Sequence, residues 1–185
     1  MNYTEYLAYV TSITTAENPP APYDAEEYIS YTKLNESRMK RWTKHMKLRD
    51  DLVSMLENMQ TKQHWIIITE PWCGDAAHLV PFLVRFAELS PMITYELQLR
   101  DSEPFLIDQY LTNGGKAIPK LISRGEDGED LFVWGPRPAK AQLMMNELKA
   151  KETVFEDIKI ELQNWYNKDK GEEVQQEFVS ILSNL

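Results

Sequence analysis

The chain contains one cysteine, Cys73, set in Glu70-Pro71-Trp72-Cys73-Gly74-Asp75-Ala76 between an apolar run and a segment of helical periodicity. A cysteine at the first turn of a helix meets unpaired backbone N–H groups and the positive end of the helix dipole. Both favour thiolate over thiol, and the thiolate is the nucleophile. Asp75 acts in the opposite direction, because a carboxylate within a turn of the sulfur disfavours a second negative charge and competes for the same N–H groups. A helix terminus contributes only about 0.3–1 kcal/mol at an exposed site, so the residues alone leave the balance open. One cysteine excludes an intramolecular disulfide, and any redox chemistry needs a second molecule. A lone thiolate can still attack a disulfide, with release depending on an external thiol. Two roles are open to Asp75: a first-turn or capping acid, or a proton relay to the sulfur or its leaving group. Trp72 is expected as a partly exposed lid over the sulfur, with plain packing as the alternative, and Glu70 adds to the local negative field.

His78 follows Cys73 by five positions. A Cys-x4-His pair invites a metal reading, but zinc needs three or four ligands, no other cysteine exists, and His45 and His64 lie in other elements. His78 is therefore expected on a helix surface, with no metal and no cofactor. Gly135-Pro136-Arg137-Pro138 reads as a rigid turn that places Pro138 at the first helical position, and Arg137 as a group able to bind an anion such as a substrate carboxylate. Met144-Met145, Met39, Met46, Met55 and Met59 read as packing material.

The elements that must position these groups follow from periodicity. Residues 1 to 33 suggest a short helix, a turn set by Pro19, Pro20 and Pro22, and a second helical piece from about Asp24. From about Lys33 to Gln60, Met39, Trp42, Met46, Val53 and Leu56 recur at helical spacing, which predicts one long amphipathic helix. Trp65-Ile66-Ile67-Ile68-Thr69 is apolar on both faces, as in a central strand, and Ala76 to Leu89 is helical with Pro81 inside it. Then come a strand over Met92 to Leu99, a short helix over Pro104 to Leu111, and a strand over Ala117 to Ser123. A hairpin arm at Leu131 to Trp134 follows the turn Gly125-Glu126-Asp127-Gly128. Helix fills Ala139 to about Tyr166 and resumes after Asn167 to Gly171, with Ile158, Leu162, Trp165, Val174, Phe178 and Ile181 as buried candidates; the pattern assigns Gln175 and Gln176 nothing beyond facing solvent and leaves any further role open. This order implies a mixed sheet covered by helices on both sides.

With 185 residues, 43% hydrophobic and 26% charged, the chain has the composition of one ordinary globular domain with a real core. The net charge of −9 and pI near 4.9 argue against nucleic acid or an anionic membrane as partner. No apolar stretch approaches the ~18 residues that span a bilayer, and Glu5 stands where a secretory signal carries positive charge. A cytoplasmic location is the resulting expectation.

Trp72-Cys73-Gly74-Asp75-Ala76, entered from an apolar strand and followed five residues later by Pro81, resembles the active-site segment of the thioredoxin superfamily, usually Trp-Cys-Gly-Pro-Cys with a proline at that same later position. Ala117-Ile118-Pro119, about 45 residues on, is similar to the superfamily's cis-proline loop, with a trans proline at an edge strand as the alternative. The resemblance spans roughly residues 35 to 150. It implies an α/β fold, a thioredoxin-like mixed β-sheet flanked by helices, in a single domain over 1–185 with helical extensions at 1–34 and 151–185. It also implies a site in which Cys73 acts on a substrate bound by Trp72, Gly74, Ile118 and Pro119, with the Ile118 backbone free to pair with an extended segment; Asp75, the candidate proton relay beside the sulfur, is not part of the family's pattern.

The departures narrow the function. Ala76 replaces the second cysteine and Asp75 the proline. The buried acid that the superfamily commonly places six residues before the cysteine is Ile67 here. The expected activity is monothiol thiol–disulfide exchange with a protein or low-molecular-weight thiol. The alternative is a redox-inactive thioredoxin-fold module that binds an extended peptide or protein partner between Trp72 and Ile118. An iron–sulfur role like that of some monothiol relatives is disfavoured, since Asp75-Ala76 departs from their usual Cys-Gly-Phe-Ser form. Oligomeric state is not legible.

Overall fold

A computed structural model describes all of residues 1–185. The apolar run becomes β1 (Gln63–Thr69), and Trp65, Ile66, Ile67 and Ile68 are all 4% exposed or less, so both faces of this strand are covered. β1 pairs in parallel with β2 (Ile93–Leu99) and antiparallel with β3 (Lys120–Arg124), which pairs antiparallel with β4 (Asp130–Trp134). The order β2-β1-β3-β4 is the mixed sheet expected. The parallel step from β1 to β2 requires a crossover, and α4 (Gly74–Leu89) supplies it. Pro81 lies inside α4 without ending it, at the loss of one hydrogen bond to the Ala77 carbonyl.

Three helices precede the sheet, the first two being α1 (Tyr3–Thr15), started by an Asn2/Glu5 capping box, and α2 (Glu26–His45), which packs on α4. α3 (Asp50–Glu57) and α7 (Glu172–Leu182) pack together, and α5 (Ala139–Ala150) pairs with α6 (Phe155–Asp169). One large core runs through the sheet and its helices. Phe178 of α7 meets Trp65, Phe86 and Trp134 at centroid distances of 5.6, 5.1 and 5.6 Å. Burying such a ring contributes about 2–3 kcal/mol, which anchors the last helix. A separate small cluster, Ala141, Met145, Ile158 and Leu162, holds α5 to α6. No helix is long and apolar enough to cross a membrane.

Several boundaries differ from expectation. The long helix over 33–60 is two: its N-terminal part begins at Glu26, absorbing the piece expected from Asp24, and the chain breaks between His45 and Asp50. The break is held from far away. Gln175 of α7 accepts from the Arg49 N–H at 2.8 Å and donates to the Lys47 carbonyl at 3.2 Å, so it is 1% exposed rather than solvent-facing. The stretch after Pro138 likewise breaks at 151–154, where Glu152 adopts φ 56°. Pro138 caps α5 rather than opening it. Pro104 to Leu111 contains only a 3-10 turn, Leu106–Gln109, and β3 begins at Lys120 rather than Ala117.

Candidate functional site

Cys73 caps the N-terminus of α4, in the turn where β1 hands over to the helix. The Ala76 N–H donates to Sγ at 3.5 Å and the thiol donates to the Ile118 carbonyl at 3.4 Å. The sulfur is thus bound between the two segments that the sequence singled out. The peptide before Pro119 is cis. Cys73 is 7% exposed. Burial, reinforced by the Asp75 carboxylate, pushes its thiol up to about 12, and the Ala76 N–H and the Arg137 charge offset only part of this. The balance left open by the residues falls on the side of the protonated thiol.

Asp75, in the first turn of α4, is held on both oxygens. Arg137 Nη2 lies 2.6 Å from Oδ2, and the Tyr166 hydroxyl donates to Oδ1 at 2.7 Å. Arg137 therefore spends its charge inside the protein. One turn further along α4, His78 is buried at 3% exposure, not on the surface. Trp42 Nε1–H donates to His78 Nδ1 at 2.9 Å, and Gln163 Oε1 lies 3.0 Å from Nε2. Since indole N–H can only donate, Nδ1 must accept and Nε2 carries the proton. The imidazole stacks on the Tyr166 ring at 4.4 Å with 9° between planes. Burial drives its pKa down to about 3, and the cations Arg38 and Arg41 act in the same sense. His78 thus fastens α6 to α4. With both ring nitrogens occupied it has none to offer a metal, and no cluster of three or more His, Cys, Asp or Glu side chains able to hold one is formed.

Trp72 is half-buried, with the Arg100 guanidinium 4.6 Å from its ring centroid and the Tyr28 ring edge-on at 5.9 Å. Ile67 is fully buried, and the nearest buried acid is Glu70 in the loop. It accepts from the Asp101 N–H at 3.0 Å and the Tyr23 hydroxyl at 3.3 Å, and burial raises its pKa. α2 supports this loop from outside. Asn35 donates to the Pro71 carbonyl at 2.9 Å, and Arg38 Nη1 donates to Asn35 Oδ1 at 2.8 Å. That guanidinium lies beside Gly74, 3.8 Å from where a Cβ would stand, an ordinary contact distance.

Cys73, Trp72, Gly74, Asp75 and Ile118 all line one cavity of about 440 Å³, closed on one side by α2 and on the other by α5 and α6. Pro119, expected beside them, is not among the residues that line it; its neighbours Ala117 and Ile118 are. Sequence reasoning missed the outer wall: Tyr28 and Arg38 from α2, Met145 from α5, and Phe155, Lys159, Leu162 and Tyr166 from α6. A basic residue on an amphipathic helix carries no signal that it turns inward, and the C-terminal helices reach the site only through the fold.

A family model described as thioredoxin matches residues 21–151, starting upstream of the core boundary expected at residue 35. No curated protein matches the chain. Among solved structures, a protein of unknown function from Pseudomonas aeruginosa aligns over 100% of this chain and 98% of its own, with TM-score 0.60 and 16% identity. An HIV epitope scaffold aligns over 100% and 99%, with TM-score 0.58 and 15% identity. At such identities the likeness is one of fold. The family match extends over more than half of the chain and includes both the Cys73 turn and the Pro119 loop, and the chain therefore belongs to the thioredoxin family.

Proposed function

We propose that this protein is a redox-silent thioredoxin-family module that binds a small molecule in the cavity over Cys73. The observation that carries the reading is the state of the sulfur: buried, hydrogen-bonded to the Ile118 carbonyl, and beside a carboxylate. A thiol at about 12 is ionised at pH 8 to roughly one part in 10⁴, against about a quarter for a free cysteine near 8.5, so exchange would be slowed roughly a thousandfold. Asp75, tied to Arg137 and Tyr166, is poorly placed to relay a proton. An extended peptide finds little purchase, because Ile118 is 5% exposed and its carbonyl is engaged, while α2 and α6 turn the family's open groove into a cavity. Its size suits a small ligand.

Monothiol exchange remains the second reading, favoured by one observation: Cys73 lines the cavity, so a bound molecule lies against the sulfur. The pH dependence of iodoacetamide alkylation at Cys73, followed by mass spectrometry, separates the two. The binding reading expects slow labelling at pH 7–8 that accelerates only above about pH 10. Fast labelling with a midpoint at or below about 8.5 would overturn it and restore exchange chemistry.

A further inference from the structure

The cavity is cationic in an acidic protein. Arg38, Arg100, Lys116, Arg137 and Lys159 line it against the carboxylates of Glu27 and Asp75, in a chain of net charge −9. Most of these cations are answered: Arg137 by Asp75, Arg100 by Asp101 at 2.6 Å, Lys116 by Asp108 at 2.7 Å and Lys159 by Glu156 at 2.7 Å. Arg38 is not. It is half-buried, its one hydrogen bond within the chain is to Asn35, and no carboxylate lies within ion-pairing distance. A guanidinium has five N–H donors in a planar fork, so four remain without a partner in the chain at the mouth of α4's first turn, beside Gly74. These donors are open to the cavity, where water or an anion can accept from them, and an anion makes the stronger, charge-assisted bonds. The lining also carries an apolar stretch, Tyr28, Trp72, Met145, Phe155 and Leu162, with Phe155 58% exposed at the rim.

We propose that the cavity binds a small amphipathic organic anion, its carboxylate or phosphate head on the Arg38 guanidinium and its apolar body along Tyr28, Trp72, Met145, Phe155 and Leu162. This rests on the reading of the cavity as a binding site and names the class of ligand it takes. The charge on Asp75 is already matched by Arg137, so the incoming anion meets Arg38 rather than a repelling carboxylate. Head and tail are both required. Inorganic phosphate satisfies the guanidinium but leaves the apolar wall wet, and a neutral alcohol of the same length leaves Arg38 unpaired.

Isothermal titration of the full chain at low ionic strength with octanoate, octyl phosphate, octan-1-ol and inorganic phosphate tests this. Octanoate or octyl phosphate is expected to bind one to one and saturably. The alcohol and inorganic phosphate should each bind at least tenfold more weakly, and the better of the two anions identifies the head group. Arg38→Gln should weaken the anion by about 10- to 100-fold, the range for one lost charge-assisted hydrogen bond, and leave octan-1-ol unchanged. Phe155→Ser, at an exposed position that does not threaten folding, should weaken the anion severalfold and keeps the test open should the Arg38 variant misfold. Octan-1-ol binding as tightly as octanoate, or unchanged affinity in Arg38→Gln, overturns the anion assignment while leaving the cavity reading intact. Failure of all four probes overturns both. Fast alkylation of Cys73 alongside normal octanoate binding removes only the redox-silent part of the reading.

Discussion

Replacing His78 by glutamine should flatten the loss of stability that acid produces in this protein. His78 Nδ1 accepts from Trp42 and Nε2 faces Gln163, so a second ring proton would meet the indole N–H head-on at 2.9 Å. From α2, Arg38 and Arg41 oppose the added charge, and burial opposes it more, holding the ring neutral down to about 3. In the unfolded chain the same imidazole takes up a proton near 6.5. Between those values the unfolded state binds more protons than the folded one, so stability is present above pH 6.5 and falls as pH falls. From pH 7.5 to 5.0 the loss integrates to about 2 kcal/mol, a sizeable share of the roughly 5–15 kcal/mol typical of a domain. Glutamine can keep an acceptor toward Trp42 and a donor toward Gln163 without titrating. Urea unfolding of both proteins at pH 7.5, 6.5, 5.5 and 5.0 should find the wild type's advantage over His78→Gln shrinking by about 2 kcal/mol across the series. All other titrating groups are shared, so they cancel in the difference. An advantage that stays constant with pH would refute the assignment of His78 as a buried neutral acceptor. So would a His78 Cε1–H resonance that moves above pH 5.

Two further outcomes test the site. Asp75→Asn removes the second-largest cause of the raised thiol and leaves Arg137 without its counter-charge. The Cys73 pKa should fall by about one to two units, seen as a roughly 10- to 100-fold faster alkylation at pH 8, and an unchanged rate refutes the role given to Asp75. Gly135 adopts φ +111°, and a Cβ there would stand 2.3 Å from the Pro119 carbonyl oxygen, directly behind the cis-proline loop. Gly135→Ala should lower the melting temperature by about 5–10 °C, corresponding to more than about 2 kcal/mol. An unchanged melting temperature would mean that the loop yields freely.

The central strand and the helix after it were legible because their signals are local: an apolar β-branched run too short for a helix, then helical periodicity opened by Trp72-Cys73-Gly74. The break between α2 and α3 was not, because the residue that holds it, Gln175, comes from a helix more than a hundred positions away. His78 shows the same limit. A histidine on a helix reads as surface until Trp42 and Tyr166 are known to cover it from two other helices. The sequence pointed to Asp75 and Arg137 separately, and only the fold makes them a pair. The cavity had no signature at all, since its outer wall is built from α2 and α6, which flank the Cys73 turn from opposite ends of the chain.

Asp75 and Tyr166 are 91 residues apart. At the roughly 5–20 residues per second of protein synthesis, on the order of ten seconds passes between emergence of the Cys73 turn and emergence of the tyrosine that closes over its neighbour. In the last part of that interval all four strands have left the ribosome while the α6 wall of the site is still incomplete. The nascent chain therefore displays a thioredoxin-like turn without its roof, and the sulfur that the finished protein keeps protonated and covered is most open to oxidants and stray disulfides before the chain is complete.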